Sequence, residues 1–97
     1  MPVAKKTKFD IAVIDLVREK RIEKNLSQDM IAAFIGKTRG FIGQVESPAN
    51  SSKYNLNHLN RIANEIGCSP KDFIPKTGIP EADDPTSKKK HPKKKKG

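Results

Sequence analysis

Tryptophan is absent, tyrosine occurs once, and aromatic residues make up 5% of the 97 residues. With apolar residues at 34%, part of the chain lacks the material for a packed core. The length excludes a two-domain enzyme with a large substrate cleft. A single cysteine, Cys68, excludes an internal disulfide, so the fold needs no oxidising compartment. Together with two scattered histidines, His58 and His91, it cannot assemble a structural zinc site. Long apolar runs are missing too. The stretch from Ile11 to Val17 is short and carries Asp15, which fits neither a signal-peptide core nor a membrane span, so a soluble, intracellular chain with no membrane partner is expected. No Gly-rich phosphate loop or nucleophile–base pair is present. The paired Asp83 and Asp84 lie where nothing would hold or desolvate them. No enzyme activity and no cofactor are expected.

What the chain has in excess is positive charge, 20 Lys and Arg against 11 Asp and Glu, for a net +9. The excess points to a polyanionic partner, but it is unevenly placed. Residues 1–8 carry +3, residues 9–75 only +1, residues 76–87 −2, and residues 88–97 +7 from seven lysines. From Lys76 onward Ile79 is the one larger aliphatic, among Pro75, Pro80, Pro85 and Pro92. Such a segment cannot recover its ordering entropy. Three parts are therefore expected: a flexible basic arm (1–8), a folded domain (9–75), and a disordered linker with a lysine-rich tail (76–97).

Within the domain the pattern is that of five short helices, an all-α bundle without β alternation. Val13, Ile14, Val17 and Arg21 fall at helical spacing from about Asp10 to Lys24, where Asn25 ends the run by tolerating positive φ. Ser27 caps a second helix, with Ile31, Ala32 and Ile35 inward and Gly36 closing it. After Gly36-Lys37-Thr38 a third helix runs from Arg39 to Glu46, buries Ile42 and Val45, and stops at Ser47-Pro48. Asn55 caps a fourth, whose inward side is Leu56, Leu59, Ile62, Ala63 and Ile66, ended by Gly67. Ser69-Pro70-Lys71-Asp72 opens a fifth, anchored by Phe73 and Ile74 and stopped by Pro75.

Two short helices joined by a Gly-containing turn form a helix-turn-helix, whose second helix enters the DNA major groove. The series Leu26-Ser27-Gln28, Ile31-Ala32, Ile35-Gly36, Thr38-Arg39, Ile42 and Val45-Glu46 resembles the phage-repressor/Cro-like (XRE-like) helix-turn-helix family. Downstream, Asn55-Leu56, Leu59, Ile62-Ala63 and Ile66-Gly67-Cys68-Ser69 resemble its fourth and fifth helices. The resemblance covers residues 13–74 and implies a lambda-repressor-like fold, with helix 2 at about 28–36 and the recognition helix at 39–46. Its implied partner is double-stranded DNA, bound by a homodimer that can pair on the operator alone, inside a prokaryotic cytoplasm. The implied activity is that of a sequence-specific transcriptional repressor.

Carried over by position, the base-reading set is Arg39, Gly40, Gly43 and Gln44. Arginine suits guanine O6 and N7, and glutamine suits adenine N6 and N7. Gln28, Lys37, Thr38, Phe41 and Ser47 are the backbone contacts, Gln28 at a helix N-terminus that favours phosphate. Arg21 and Glu46 would pair and tie helix 1 to the end of helix 3. Cys68 stands where the family has a small apolar residue and is read as a buried hydrophobe.

Two departures stand out. Gly40 and Gly43 lie inside the recognition helix at about 1 kcal/mol each relative to alanine, which would let the backbone approach DNA closely. Phe41 between them either presses on a thymine methyl or sugar, or packs against the loop around Tyr54. Met30, Ala33 and Phe34 form an apolar strip on helix 2, which either Phe9 and Ile11 fold over or a dimer mate or other protein partner covers. That strip supports the rival reading, an antitoxin-like or coactivator-like adaptor whose DNA affinity comes mainly from the tail. The tail itself would add salt-sensitive attraction to phosphate, or serve solubility alone.

Overall fold

The computed structural model describes residues 6–81, and the lysine-rich tail expected at 88–97 lies outside them. Four α-helices follow one another: α1 (Lys8–Glu23), α2 (Gln28–Ile35), α3 (Arg39–Glu46) and α4 (Leu56–Ile66). A single 3-10 turn, Pro70–Phe73, follows α4, and no strand occurs among the described residues. The fold class is all-α, as the periodicity predicts.

Each helix begins and ends on a local device. Thr7, Ser27, Thr38 and Asn55 cap the four N-termini, each side-chain oxygen accepting the N–H three residues on. Asn25, Gly36 and Gly67 adopt left-handed φ of 59°, 68° and 90° just past α1, α2 and α4. At each, the following N–H turns back into the last helical turn: Leu26 to Arg21 O (2.8 Å), Lys37 to Ala32 O (2.9 Å), Cys68 to Ala63 O (2.9 Å). These are Schellman closures, which satisfy carbonyls the helix leaves open. The sharp α2–α3 corner is thus set by Gly36 closing one helix two residues before Thr38 opens the next.

Packing does the rest. Val17, Ile31, Ile42, Val45, Ile62 and Phe73 are fully buried, and Val13, Ile14, Ala32, Leu59 and Ala63 complete the core around them. Full burial contributes roughly 1.5–3 kcal/mol for each large side chain. No helix among the described residues is long and apolar enough to cross a membrane.

Several expectations need correction. The fifth helix is one 3-10 turn, because Ile74 turns extended and Pro75 follows. Leu56, placed on the inward stripe of α4, is 78% exposed. It opens the helix immediately after its cap, where the first turn overhangs the core. Cys68 is half-buried at the core edge, and burial, with the Asp72 carboxylate next, pushes its thiol up. The domain boundaries also shift. Lys8 is already helical with Thr7 its cap, so residues 6–8 belong to the folded unit. At the other end, Glu81 accepts hydrogen bonds from the N–H groups of Lys8 and Phe9, so the chain stays attached past residue 75.

Candidate nucleic-acid interface

Helix α3 has eight residues and two interior glycines, too short and too weak to persist alone. Both of its ends are held from elsewhere. At the start, Thr38 Oγ1 accepts the Phe41 N–H at 3.1 Å. At the finish, the Glu46 side chain is 9% exposed and takes Arg21 Nε at 3.0 Å and Arg21 Nη2 at 3.1 Å, a forked pair. Arg21 Nη1 donates to Leu26 O at 3.1 Å, in the link between α1 and α2. The Arg21–Glu46 pair thus joins α1 to the end of α3.

Gln28 joins this network, donating from Nε2 to Glu46 Oε1 at 3.0 Å. The amide proposed for phosphate is therefore oriented by Glu46, and one carboxylate ties the starts of α2 and α1's arginine to the end of α3. Arg18 lies 3.9 Å from the same Oε1 and is half-exposed. The Tyr54 hydroxyl is buried beside the pair with no hydrogen-bond partner among the described residues. Burial raises its pKa most, the Glu46 charge adds to the rise, and Arg21 opposes it.

Along the outward face of α3, Arg39, Gly40 and Gln44 are exposed and Gly43 is half-exposed. Gln44 Oε1 accepts from Ser52 Oγ at 3.4 Å. A Cβ built at Gly43 meets nothing within 4 Å, and one at Gly40 meets only Thr38 Oγ1 at 3.7 Å. Neither glycine has positive φ, so the fold itself has room for side chains at both.

Phe41 is half-buried and turned onto the start of α4. Its ring meets His58 edge-on at 5.9 Å, and His58 meets Tyr54 in the same way at 6.2 Å. Lys37 Nζ lies over the Phe41 ring, 5.3 Å from its centroid. Phe41 thus packs toward Tyr54 through His58. Nδ1 of His58 accepts the Asn55 N–H at 3.1 Å while Asn55 Oδ1 accepts the His58 N–H at 2.8 Å. Burial, and then the Lys37 charge, hold the imidazole's pKa below the ordinary histidine value.

Ser47 is less open than expected. Its N–H donates to Gln44 O at 3.2 Å and its carbonyl accepts from Asn50, so its hydroxyl alone is left for a backbone contact. Lys6 fills this end of α3, its ammonium donating to the carbonyls of Gln44 (3.1 Å), Val45 (2.7 Å) and Ser47. A cation on the last carbonyls opposes the negative end of the helix dipole. Burial lowers the Lys6 pKa, with Asp10 acting against that shift and Lys53 adding to it. Nothing local in the sequence announces Lys6, since its partners lie 38 to 41 residues away. His58 did carry a signal, the Asn55-x-x-His58 spacing of a capping box with histidine in the usual acidic place.

On α2, Met30 is 48% exposed and Ala33 is exposed, while Phe34 packs partly against the core. The expected cover is not there. Phe9 lines a groove with Val13, Leu56, Leu59 and Ile74, and Ile11 lines a small recess with Val45 and Pro48.

A family model described as helix-turn-helix matches residues 17–73. No curated protein matches the chain. Among solved structures, iron(II) HppE in complex with substrate is similar at 22% identity and a TM-score of 0.60, over 71% of this chain and 38% of that one. Cobalt(II) HppE in complex with substrate is similar at 21% and 0.62, over 73% and 39%. At such identity the likeness is one of fold, and the chain spans about two-fifths of those proteins' length. Among the described residues, no group of three or more His, Cys, Asp or Glu is gathered as a metal site.

Proposed function

The chain belongs to the helix-turn-helix family of DNA-binding transcriptional regulators, in its phage-repressor/Cro-like branch, and we propose that it is a sequence-specific repressor reading the major groove with α3. Arg39 and Gln44 address base edges, and Gly40 and Gly43 let the helix backbone approach them. Gln28 at the start of α2, Lys37, Thr38 and the Ser47 hydroxyl hold phosphates, while Phe41 lies on the sugar side with its ring braced by His58.

One observation carries the reading: two glycines on the outward face of a short helix that has room for a Cβ at both positions. Each weakens the helix, and neither is needed for a turn or for internal packing. A surface that comes close to the backbone from outside accounts for them.

The proposal assigns the chain no catalysis, pairing of two copies on the operator, and a prokaryotic cytoplasm with the nucleoid as its place of action. The exposed Met30 with Ala33 and Phe34 favours a second reading, an adaptor that meets a protein through α2. Selection from a random duplex pool separates the two. Enrichment of a defined site, palindromic if two copies bind, supports the repressor. Equal retention of all duplexes at moderate salt supports the adaptor.

A further inference from the structure

Of the four helices described, α3 is the one without a left-handed closure. Asn25, Gly36 and Gly67 close the other three, whereas Ser47 after α3 is extended, at φ −86° and ψ 121°. In a continuing helix the carbonyl of Gln44 would take the N–H four residues on, but that residue is Pro48, which has none. The carbonyl of Val45 stands at the same open end, and the last turn of α3 contains no basic residue. The Ser47 N–H reaches back to Gln44 O at 3.2 Å. Each carbonyl has two lone pairs, so room remains for a donor from elsewhere.

Lys6 supplies it. Its ammonium has three protons, and the carbonyls of Gln44 (3.1 Å), Val45 (2.7 Å) and Ser47 are three acceptors for them. The backbone that follows Lys6 is itself fixed. Thr7 N–H donates to Asp10 Oδ2 at 2.9 Å, and the same oxygen takes Lys53 Nζ at 2.9 Å. The N–H groups of Lys8 and Phe9 donate to the two carboxylate oxygens of Glu81, each at 2.9 Å. Three consecutive held residues therefore present Lys6 to the end of α3.

Of the base-reading set, Gln44 alone has its own carbonyl in this cap. Arg39 lies at the opposite end of the helix, about 7.5 Å along its axis. A glutamine amide reads adenine through two bonds made at once, so its backbone must hold one position. With Gly40 and Gly43 inside it, α3 has too little propensity to hold that position alone.

We propose that Lys6 is a positioning residue for base reading: by capping the carbonyls that Pro48 leaves open, it holds Gln44 in the register at which its amide meets a base edge. This rests on the DNA-binding reading above.

Lys6→Met in the full-length chain keeps the aliphatic stem and removes the donors. Hydrogen exchange without DNA reads the cap. The Ser47 amide is expected to exchange about tenfold faster in Lys6→Met, while the Val17 and Ile31 amides stay protected and report an intact fold. Unchanged exchange at Ser47 overturns the cap. Base preference is then read on selected duplexes varied at two positions, those whose preference is lost in Gln44→Ala and in Arg39→Ala. The parent should prefer its base about tenfold at each; Lys6→Met should fall to about twofold at the Gln44 position and keep the Arg39 preference. Equal weakening on every duplex would make Lys6 a phosphate contact or a general stabiliser, and overturns the positioning role while the DNA-binding reading stands. A Gln44→Ala variant that keeps every preference overturns it too. If the pool yields no site, the DNA-binding reading fails and the positioning role with it, and the exchange result reports the cap by itself.

Discussion

Replacing Gly43 and Gly40 by alanine should strengthen the fold and weaken its hold on DNA. Gly43 lies mid-helix with a Cβ meeting nothing within 4 Å, and the contact at Gly40 is an ordinary 3.7 Å to Thr38 Oγ1. Each alanine should therefore recover most of the propensity difference, about 0.8–1 kcal/mol. Part of that gain comes from a less flexible unfolded chain. In a domain of this size about 1 kcal/mol moves the midpoint by roughly 4–8 °C, so the double variant should melt about 8–16 °C higher. Binding should move the other way. A methyl forced into a close backbone–DNA contact costs about 1–3 kcal/mol, and each 1.4 kcal/mol is tenfold in affinity. Circular dichroism melts and titration of one selected duplex, both at fixed salt, read the two effects. Higher melting with undiminished affinity would show that the glycines serve no close approach. Lower melting would show that the fold needs them after all.

The other expectations are simpler. Glu46→Ala leaves the nearly buried Arg21 without its partner, and urea unfolding should show a loss of about 3–5 kcal/mol; a loss below 1 kcal/mol would mean that solvent replaces the carboxylate. Arg39→Ala should relax preference at one base position at about 1–3 kcal/mol, whereas uniform weakening across a duplex pool would make Arg39 a phosphate contact. His58 binds its proton less readily folded than unfolded, so the unfolded state takes up more protons below the ordinary histidine pKa of about 6.5. Its share of stability is full above that value and is lost as pH falls toward the lowered folded pKa. Urea midpoints should drop between pH 7 and pH 5 by more in the parent than in His58→Asn, and equal drops would remove His58 from the account.

Helix boundaries were legible wherever a local residue decides them. Ser27, Thr38 and Asn55 open helices, and Asn25, Gly36 and Gly67 close them, each acting within a few residues of itself. Periodicity likewise gave the core side of α2, α3 and α4. It failed at Leu56, since a repeating pattern shows which side faces inward but not where the neighbouring element stops. The Arg21–Glu46 pair was legible through family resemblance. Gln28's place in it was not, because a polar residue at a helix start has the same pattern whether it faces a phosphate or a carboxylate. Lys6 and Glu81 were assigned to charged arms for a related reason. Composition marks a segment as too polar to bury itself, yet one ammonium on three carbonyls or one carboxylate on two N–H groups fastens it.

These long-range attachments explain how a helix with so little propensity can present a reading surface. Ile42 and Val45 bury the inner side of α3. The Thr38 cap holds its start, and the Arg21–Glu46–Gln28 network with the Lys6 ammonium holds its end. No side chain of Arg39, Gly40, Gly43 or Gln44 is among these groups, and Gln44 takes part through its carbonyl alone. The outer side is thereby relieved of any part in keeping the helix folded, and its composition answers to whatever lies outside. The near-neutral charge of residues 9–75 has the same consequence. On the proposed reading, general attraction to a polyanion resides in the chain's ends, and discrimination falls to the four outward residues of α3. If this division holds, substitutions at Arg39 or Gln44 redirect sequence preference with little effect on stability, and substitutions at Glu46 or Arg21 destabilise without redirecting it.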